Sequence, residues 1–448
     1  MGSIVQSIPE VTAFRRAVEG LELQRRVTVA QGIRIIVGYE KGGYSDHELH
    51  STLCAAFFDM NMDPVCWIWQ APRWPHQVFD AARLAQPLAR ARQEAGVLFG
   101  KAAAVGLEER IALEREVWAN EAVATAAIEG EVLDLAAVRS SVARRLGLDG
   151  NGPGVPRNVE GLLDVMENAA DAWEQTLTRE RLCAWQAALF PGGSVLRHVL
   201  AGAYRSGADP MQIVSGPIGR ETVHYEAVAG AAVRAEMHAF LEWFNGAPQL
   251  DGLLRAGLAH VWFESIHPFE DGNGRVGRAV VDLALAQDLR RSSRLLGISA
   301  ALRRRQDAYY DALNAAQRGD GDVTGWLEWF LDVYVEACRS SSALIEEALA
   351  RARFWADHRE VALNDMQRRV LNKMLDAGPG RFDGGLTARK YMVIANSTKV
   401  TASRHLADLL EKGLIVRAEG SGGRSTRYDL ALPGWAWQPP AKRAGRAP

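Results

Sequence analysis

The stretch HPFEDGNGRVGR, residues 267–278, decides how the rest of the chain is read. Gly272, Asn273 and Gly274 open an apolar-periodic segment running from Val276 to Leu289, which predicts a helix that begins at the glycines. Glycines there let the backbone approach a ligand closely. The unpaired N–H groups of the first helical turn, together with the helix dipole, favour an anion. Arg275 and Arg278 are three residues apart and share a helix face, so both can reach one polyphosphate. Asp271, just ahead of this nest, is suited to a Mg2+ ion that bridges phosphates. His267, on the loop that rims the nest, is the side chain suited to take a proton from a hydroxyl near neutral pH. Phe269 is expected to point the other way and anchor the loop in the core.

The tetrapeptide DGNG occurs twice, at residues 149–152 and 271–274. The first copy runs into Pro-Gly, has no histidine before it and no helical pattern after it, and reads as a turn. The surroundings of the second copy therefore carry the chemistry, and the tetrapeptide alone does not.

The string resembles the signature of the Fic family, HxFx(D/E)GN(G/K)RxxR, with every specified position filled. The resemblance implies a mostly α-helical core with a β-hairpin flap, and transfer of AMP from ATP to a Tyr, Thr or Ser hydroxyl of a target protein. It also implies residue roles: His267 as general base, Asp271 as Mg2+ ligand, Gly272, Asn273 and Gly274 as the anion nest, and Arg275 and Arg278 as the phosphate arginines. Gly274 stands where the kinase-like Doc branch carries lysine, which favours AMP transfer. Upstream, TAAIEG at 125–130 resembles the inhibitory motif (S/T)xxxE(G/N), whose glutamate pairs with the second arginine. Here that pair is Glu129 with Arg278. Residues 211–225, in which β-branched runs flank a Gly-Pro-Ile-Gly turn, read as a hairpin and match the family's flap, which binds an extended segment of the target. A Fic subgroup with a Trp-rich N-terminal domain is similar in its order of parts.

Composition sets the wider frame. The chain has 448 residues, 48% hydrophobic and 24% charged, which suits two or three soluble domains. Its net charge of −2 is uneven: residues 361–448 hold 15 Lys+Arg and 7 Asp+Glu, a net +8 that leaves −10 for the rest. Cys54, Cys66, Cys183 and Cys338 have no paired spacing, which argues against a disulfide framework or a zinc site and fits a reducing cytoplasm. No apolar run reaches the ~20 residues of a membrane span, and no membrane association is expected.

Residues 1–61 read as an uncertain extension, either an over-long start of the gene model or a weakly ordered segment. Residues 62–157 form a Trp-rich helical domain carrying the inhibitory helix, and the three tryptophans at 67–74 are expected to plug a core edge. Residues 158–353 form the Fic core. Residues 361–432 read as helix, helix, helix and a two-stranded wing, the order of a winged helix-turn-helix. Residues 433–448 are expected to be disordered. Lys399, Arg404, Arg424 and Arg427 make the winged helix a candidate DNA-binding module, with protein contact as the alternative. Three readings of function stay open: an AMP-transferring enzyme, a de-AMPylase in which Glu129 positions a water, and a DNA-binding regulator that senses a nucleotide. A homo-oligomer is also open. The intact His267 favours an enzyme, because a pure sensor needs no base.

Overall fold

The structure, a computed structural model, describes residues 67–148, 154–191, 200–215, 220, 222–246, 249–422 and 426–437. The readings of residues 1–61, of the turn at 149–152, of the hairpin tip and of Arg424 lie outside the described residues. The fold is mostly helical. In chain order, α1 (Ala81–Ala103), α2 (Leu107–Ile128), α3 (Leu135–Arg145), α4 (Arg157–Asp171) and α5 (Arg179–Leu189) precede the hairpin β1 (Pro210–Ser215) and β2 (Thr222–Ala229). There follow α6 (Val233–Gly246), α7 (Gly252–Ile266), α8 (Asn273–Leu289), α9 (Ile298–Arg304), α10 (Gln306–Gln317) and α11 (Thr324–Asp357). The C-terminal part contains α12 (Asp365–Ala377), α13 (Ala388–Ala395), α14 (Lys399–Glu411), β3 (Ile415–Arg417) and β4 (Tyr428–Leu430).

The chain divides into two compact units. One comprises residues 1–96 and 114–339, the other residues 97–113 and 340–448. These boundaries fall inside α1, α2 and α11, whereas the linear reading put its breaks at 157 and between 353 and 361.

In the first unit α7 and α8 are the centre. Almost every residue of α7 is buried, and so is most of α8. A helix apolar around its whole circumference belongs inside a bundle. The hairpin is antiparallel, with Val214 paired to Val223. It is pinned at its base by Tyr225, which is buried and donates from its hydroxyl to Ser265 O at 2.8 Å. The Trp-rich segment packs where a core-edge plug was expected. Trp67 meets the Tyr225 ring edge-on at 5.2 Å between centroids, and Trp69 Nε1 donates to Glu226 O at 2.7 Å. Trp74 Nε1 donates to Glu236 Oε2 at 2.8 Å.

The second unit has its own core, which includes Phe354, Leu371, Tyr391, Leu406 and Leu430. After three helices comes an antiparallel β3–β4 pair in which Ile415 faces Leu430. The winged-helix reading rests on this element order. Lys399 and Arg404 are exposed on α14, while the Arg427 guanidinium lies 5.4 Å from the centre of the Trp437 ring. One expectation is corrected: Trp435 and Trp437, at the start of the tail expected to be disordered, are held against this unit. Trp435 is 4% exposed within the core, and Trp437 N–H donates to Asp429 Oδ1 at 3.2 Å. Two indoles supply apolar area that the Pro/Lys/Arg composition around them conceals.

Among the described residues no helix is long and apolar enough to cross a membrane. Among them, too, no group of three or more His, Cys, Asp or Glu could hold a metal ion. Cys183 and Cys338 are free thiols.

Candidate active site

The loop between α7 and α8 carries the whole string, and its conformation follows from its sequence. His267 ends α7 in the left-handed region (φ 52°) and still donates its N–H to Phe263 O at 2.9 Å. A residue other than glycine in that region is uncommon and must be held there by its surroundings. Arg205 does the holding. It is 6% exposed, and its guanidinium donates to His267 O at 2.7 Å, Ile266 O at 2.9 Å and Val228 O at 2.6 Å. Its own N–H donates to Pro268 O at 2.9 Å. Burial lowers the Arg205 pKa to about 10, which leaves it charged at neutral pH.

Phe269 is fully buried, as expected. Asn273 clamps it on both sides, accepting from Phe269 N–H at 2.8 Å and donating to Phe269 O at 2.7 Å. The Asn273 side chain thus shapes the loop, and what it can offer an anion is its backbone. Gly272 caps α8 at φ 86°, and a β carbon there would meet the Phe190 ring at 3.0 Å. Both the turn and the close approach therefore call for glycine. The first bond inside α8 runs from Val276 N–H to Gly272 O at 3.0 Å. Helix geometry leaves the N–H groups ahead of it without an intrahelical partner, which is the basis of an anion site.

Both arginines are buried, and both are already engaged. Arg278, 3% exposed, donates to Thr125 Oγ1 at 2.7 Å, to Thr125 O at 3.0 Å and to Glu129 Oε1 at 2.9 Å. Burial is the largest influence and opposes its charge, but Glu129, Tyr309 and Glu264 together outweigh it and the guanidinium pKa is raised. Arg275, 7% exposed, lies over the Phe190 ring at 5.2 Å and donates to Glu131 Oε1 at 3.0 Å. Its Nη2 is 3.7 Å from Asp271 Oδ1.

The end of α2 explains how two glutamates reach two arginines. Gly130 is left-handed (φ 81°). Its N–H donates to Ala127 O at 3.1 Å, and Glu131 N–H donates to Ala126 O at 3.0 Å. This is a Schellman cap, which turns the chain sharply at the glycine. Ile128 O is bound from α10 by the Tyr310 hydroxyl at 3.1 Å and by Gln306 Nε2 at 3.3 Å. Gly274 completes the fit: a β carbon there would lie 2.3 Å from Glu129 Oε1.

His267 keeps 18% of its side chain exposed. Burial, and then the charge of Arg205, lower its pKa to about 4, so the imidazole is neutral at pH 7. Asp271 is half exposed and accepts from Gly272 N–H at 2.6 Å. An exposed carboxylate at the rim of an anion nest fits Mg2+, which is held by one or two carboxylates plus phosphates and water.

Thus the structure brings His267, Asp271, Gly272, Asn273, Gly274, Arg275, Arg278 and Glu129 to one place. Sequence reasoning missed Arg205, Glu131 and the glutamine beneath the loop. That glutamine, Gln186, is fully buried, donates to Asp271 O at 3.3 Å and accepts from Gly202 N–H at 2.6 Å. A lone arginine or glutamine tens of residues from the motif gives no local signal. Glu131, one residue past the motif's glycine, could have been found from its charge.

Comparison with known proteins agrees with this geometry. Residues 176–285 match the Fic/DOC family, and residues 67–148 match a domain of unknown function, DUF4172. A probable protein adenylyltransferase of Aquifex aeolicus is 32% identical over 79 residues, covering 18% of this chain and 22% of that relative. The chain thus spans about a fifth of that curated relative's length. A crystal structure of a Fic family protein from Desulfovibrio desulfuricans is 23% identical, covering 78% of this chain and 96% of that one, with a TM-score of 0.46. Fic-1 from C. elegans is 16% identical, covering 76% of this chain and 97% of that one, with a TM-score of 0.41. Residues 176–285 of the chain thus carry a Fic/DOC family domain, and the loop at 267–278 lies inside it.

Proposed function

We propose that the chain is a protein adenylyltransferase, moving AMP from ATP to a Tyr, Thr or Ser hydroxyl of a target protein, and that Glu129 holds it inactive. The observation that carries this reading is the pairing of His267, neutral at pH 7, with a helix N-terminus bearing two buried arginines one short loop away. In the step proposed, the target oxygen forms a bond to the α-phosphorus of ATP, and the bond from that phosphorus to the pyrophosphate oxygen breaks. The hydroxyl proton passes to His267 Nε2, and pyrophosphate leaves. The α8 N-terminus, Arg275 and Arg278 hold the phosphates by charge-assisted bonds. Asp271 would hold the Mg2+, which offsets phosphate charge when bound.

The β1–β2 flap would present the target. A two-stranded hairpin leaves outer edges for an extended segment to join, and Val214 and Val223, paired across it, are 46% and 37% exposed. Glu129 also suits the reverse reaction, because a carboxylate anchored by Arg278 could orient a water for AMP removal. The deciding experiment uses ATP labelled at the α-phosphate with Mg2+, comparing wild type, Glu129→Gly and Glu129→Gly with His267→Ala. Label on a protein band that appears in Glu129→Gly, and disappears both without His267 and in excess EDTA, supports transfer. Label independent of His267 overturns the base assignment. Loss in Glu129→Gly of AMP removal from a modified protein would favour the reverse reaction.

A further inference from the structure

One carboxyl group at the floor of this site has no part in the step above. Glu264 stands three residues before His267 on α7, which puts the two side chains on one face. Its side chain is 7% exposed, and Oε2 lies 3.7 Å from His267 Nδ1. Its Oε1 is buried without a hydrogen-bond partner among the described residues. The main-chain carbonyl of Glu264 also bonds the imidazole. From the facing helix, Gly277 makes the room: a β carbon there would lie 2.4 Å from Glu264 Oε1. Leaving a buried polar atom unpaired costs about 1–3 kcal/mol, so an unpaired buried carboxyl in a cleft calls for a reason, and a functional role is one such reason.

The ionisable groups around Glu264 come from four elements: His267 at the end of α7, Arg278 from α8, Glu129 from the end of α2 and Tyr309 from α10. Burial raises the Glu264 pKa to about 8, with Arg278 pulling it down and Glu129 pushing it up. The Arg205 guanidinium bonds backbone carbonyls, His267 O and Ile266 O among them, so it fixes the main chain and leaves the ring to be set by Glu264.

We propose that Glu264 is a positioning residue for His267, holding the Nδ1 edge of the ring so that Nε2 faces the hydroxyl and stabilising the imidazolium once Nε2 has taken the proton. Where Glu264 has lost its own proton to solvent, as pH rises toward its raised pKa, the imidazolium has a carboxylate beside Nδ1–H, and each charged group favours the other. The proposal rests on the AMP-transfer reading, and its test separates the two.

All measurements are made in the Glu129→Gly background. The His267 ring is followed by 15N NMR against pH, and self-labelling is followed from α-labelled ATP with Mg2+. The parent should show a step in the ring nitrogen shifts as Glu264 ionises, at a pH below 8 because the Glu129 charge that helps raise its pKa is gone. Glu264→Gln should lose that step and label roughly tenfold more slowly or worse, with the KM for ATP unchanged. Gly277→Ala, which drives the carboxyl away while keeping it, should reproduce the loss of rate, and it decides the matter if circular dichroism shows Glu264→Gln unfolded. A ring step that persists in Glu264→Gln, or the parent's rate in both variants, overturns the proposal. A parent that shows the step but never labels any protein sinks the AMP-transfer reading and leaves the Glu264–His267 contact standing. A parent with neither step nor label overturns both.

Discussion

Glu131 Oε1 accepts a hydrogen bond from Arg275 at 3.0 Å, two residues beyond the Glu129 that binds Arg278 at 2.9 Å. One Schellman turn therefore ties down both phosphate arginines, and an incoming polyphosphate has two ion pairs to displace. They are unequal. Glu131 is 39% exposed, and Arg275 keeps its stacking on Phe190 and its proximity to Asp271 when Glu131 is gone. Partly exposed pairs contribute about 0–1 kcal/mol. Glu131→Gln should therefore lower the KM for ATP by about fivefold or less and leave the maximal rate almost unchanged, as read from labelling across an ATP series. An unchanged KM would show that Arg275 is not restrained by this contact.

Gly274 supplies a second handle on the same device. Because a β carbon there would fall 2.3 Å from Glu129 Oε1, Gly274→Ala should push the carboxylate off Arg278 and raise AMP transfer in the otherwise wild-type chain. In a Glu129→Gly background the same change has no carboxylate to displace and meets only Arg278 Nη1, at 3.0 Å, so labelling should stay level or fall. The opposite pattern, with loss in the wild type and gain in the variant, would show that Gly274 serves only the phosphate nest.

How much of this was legible beforehand follows from the distance over which each contact acts. His267, Asp271, Arg275 and Arg278 lie within twelve residues, and their spacing on a loop and one helical turn can be read directly. Glu129 was legible because a short motif marks it. Arg205, Gln186 and Glu131 act across gaps that only tertiary packing closes. Glu264 reads locally as one more helical residue, since its significance depends on Gly277 leaving space for it. The domain limits were hardest, because helices α1, α2 and α11 each contribute residues to both units and nothing in their composition changes at 96, 113 or 339. The packed tryptophans at 435 and 437 were hidden by the low-complexity residues beyond them.

The buried titratable groups also shape stability. His267 and His260 have folded pKa values of about 4 and about 3, below the unfolded value near 6.5. Their contribution is fully present above 6.5 and is lost as pH falls toward those values, because the unfolded chain binds protons that the folded one refuses. Glu264 works in the other direction. Raised to about 8, its contribution is present below its unfolded value near 4.3 and is lost as pH rises through 8. Melting temperature should therefore rise with pH to about 6.5, where the two histidine terms end, and fall between about 6.5 and 8, and Glu264→Gln should remove much of that fall. An identical alkaline limb in that variant would contradict the assignment.

If the basic C-terminal unit meets DNA, the contacts are phosphate contacts from residues such as Lys399 and Arg404, both exposed on α14. Counterion release then makes affinity fall steeply with salt. A mobility-shift series on the full chain should show binding at ~50 mM salt that weakens on the order of tenfold or more by ~200 mM. No shift at the lowest salt would leave protein contact as the role of this unit.

The Glu129–Arg278 contact yields the most decisive test. Arg278 is almost fully buried and spends three hydrogen bonds on α2, two of them to Thr125 and one to Glu129. Thr125 therefore fixes where the guanidinium sits, and Glu129 occupies its remaining reach, where a phosphate oxygen would have to bind. On the proposed reading, ATP still enters at the α8 N-terminus, but with Glu129 in place its phosphates do not align for attack in line, and transfer depends on that alignment. Removing the carboxylate frees a buried cation whose natural partner is then the phosphate. Glu129→Gly should raise self-labelling by roughly tenfold or more, equivalent to about 1.4 kcal/mol in the barrier. Adding Arg278→Ala should abolish the gain, because the arginine is needed for catalysis as well as for restraint. Thr125→Val should leave Glu129→Gly active but with a weaker hold on ATP, since the threonine bonds position Arg278 without blocking it. Equal labelling by wild type and Glu129→Gly would show that this ion pair, though present, restrains nothing.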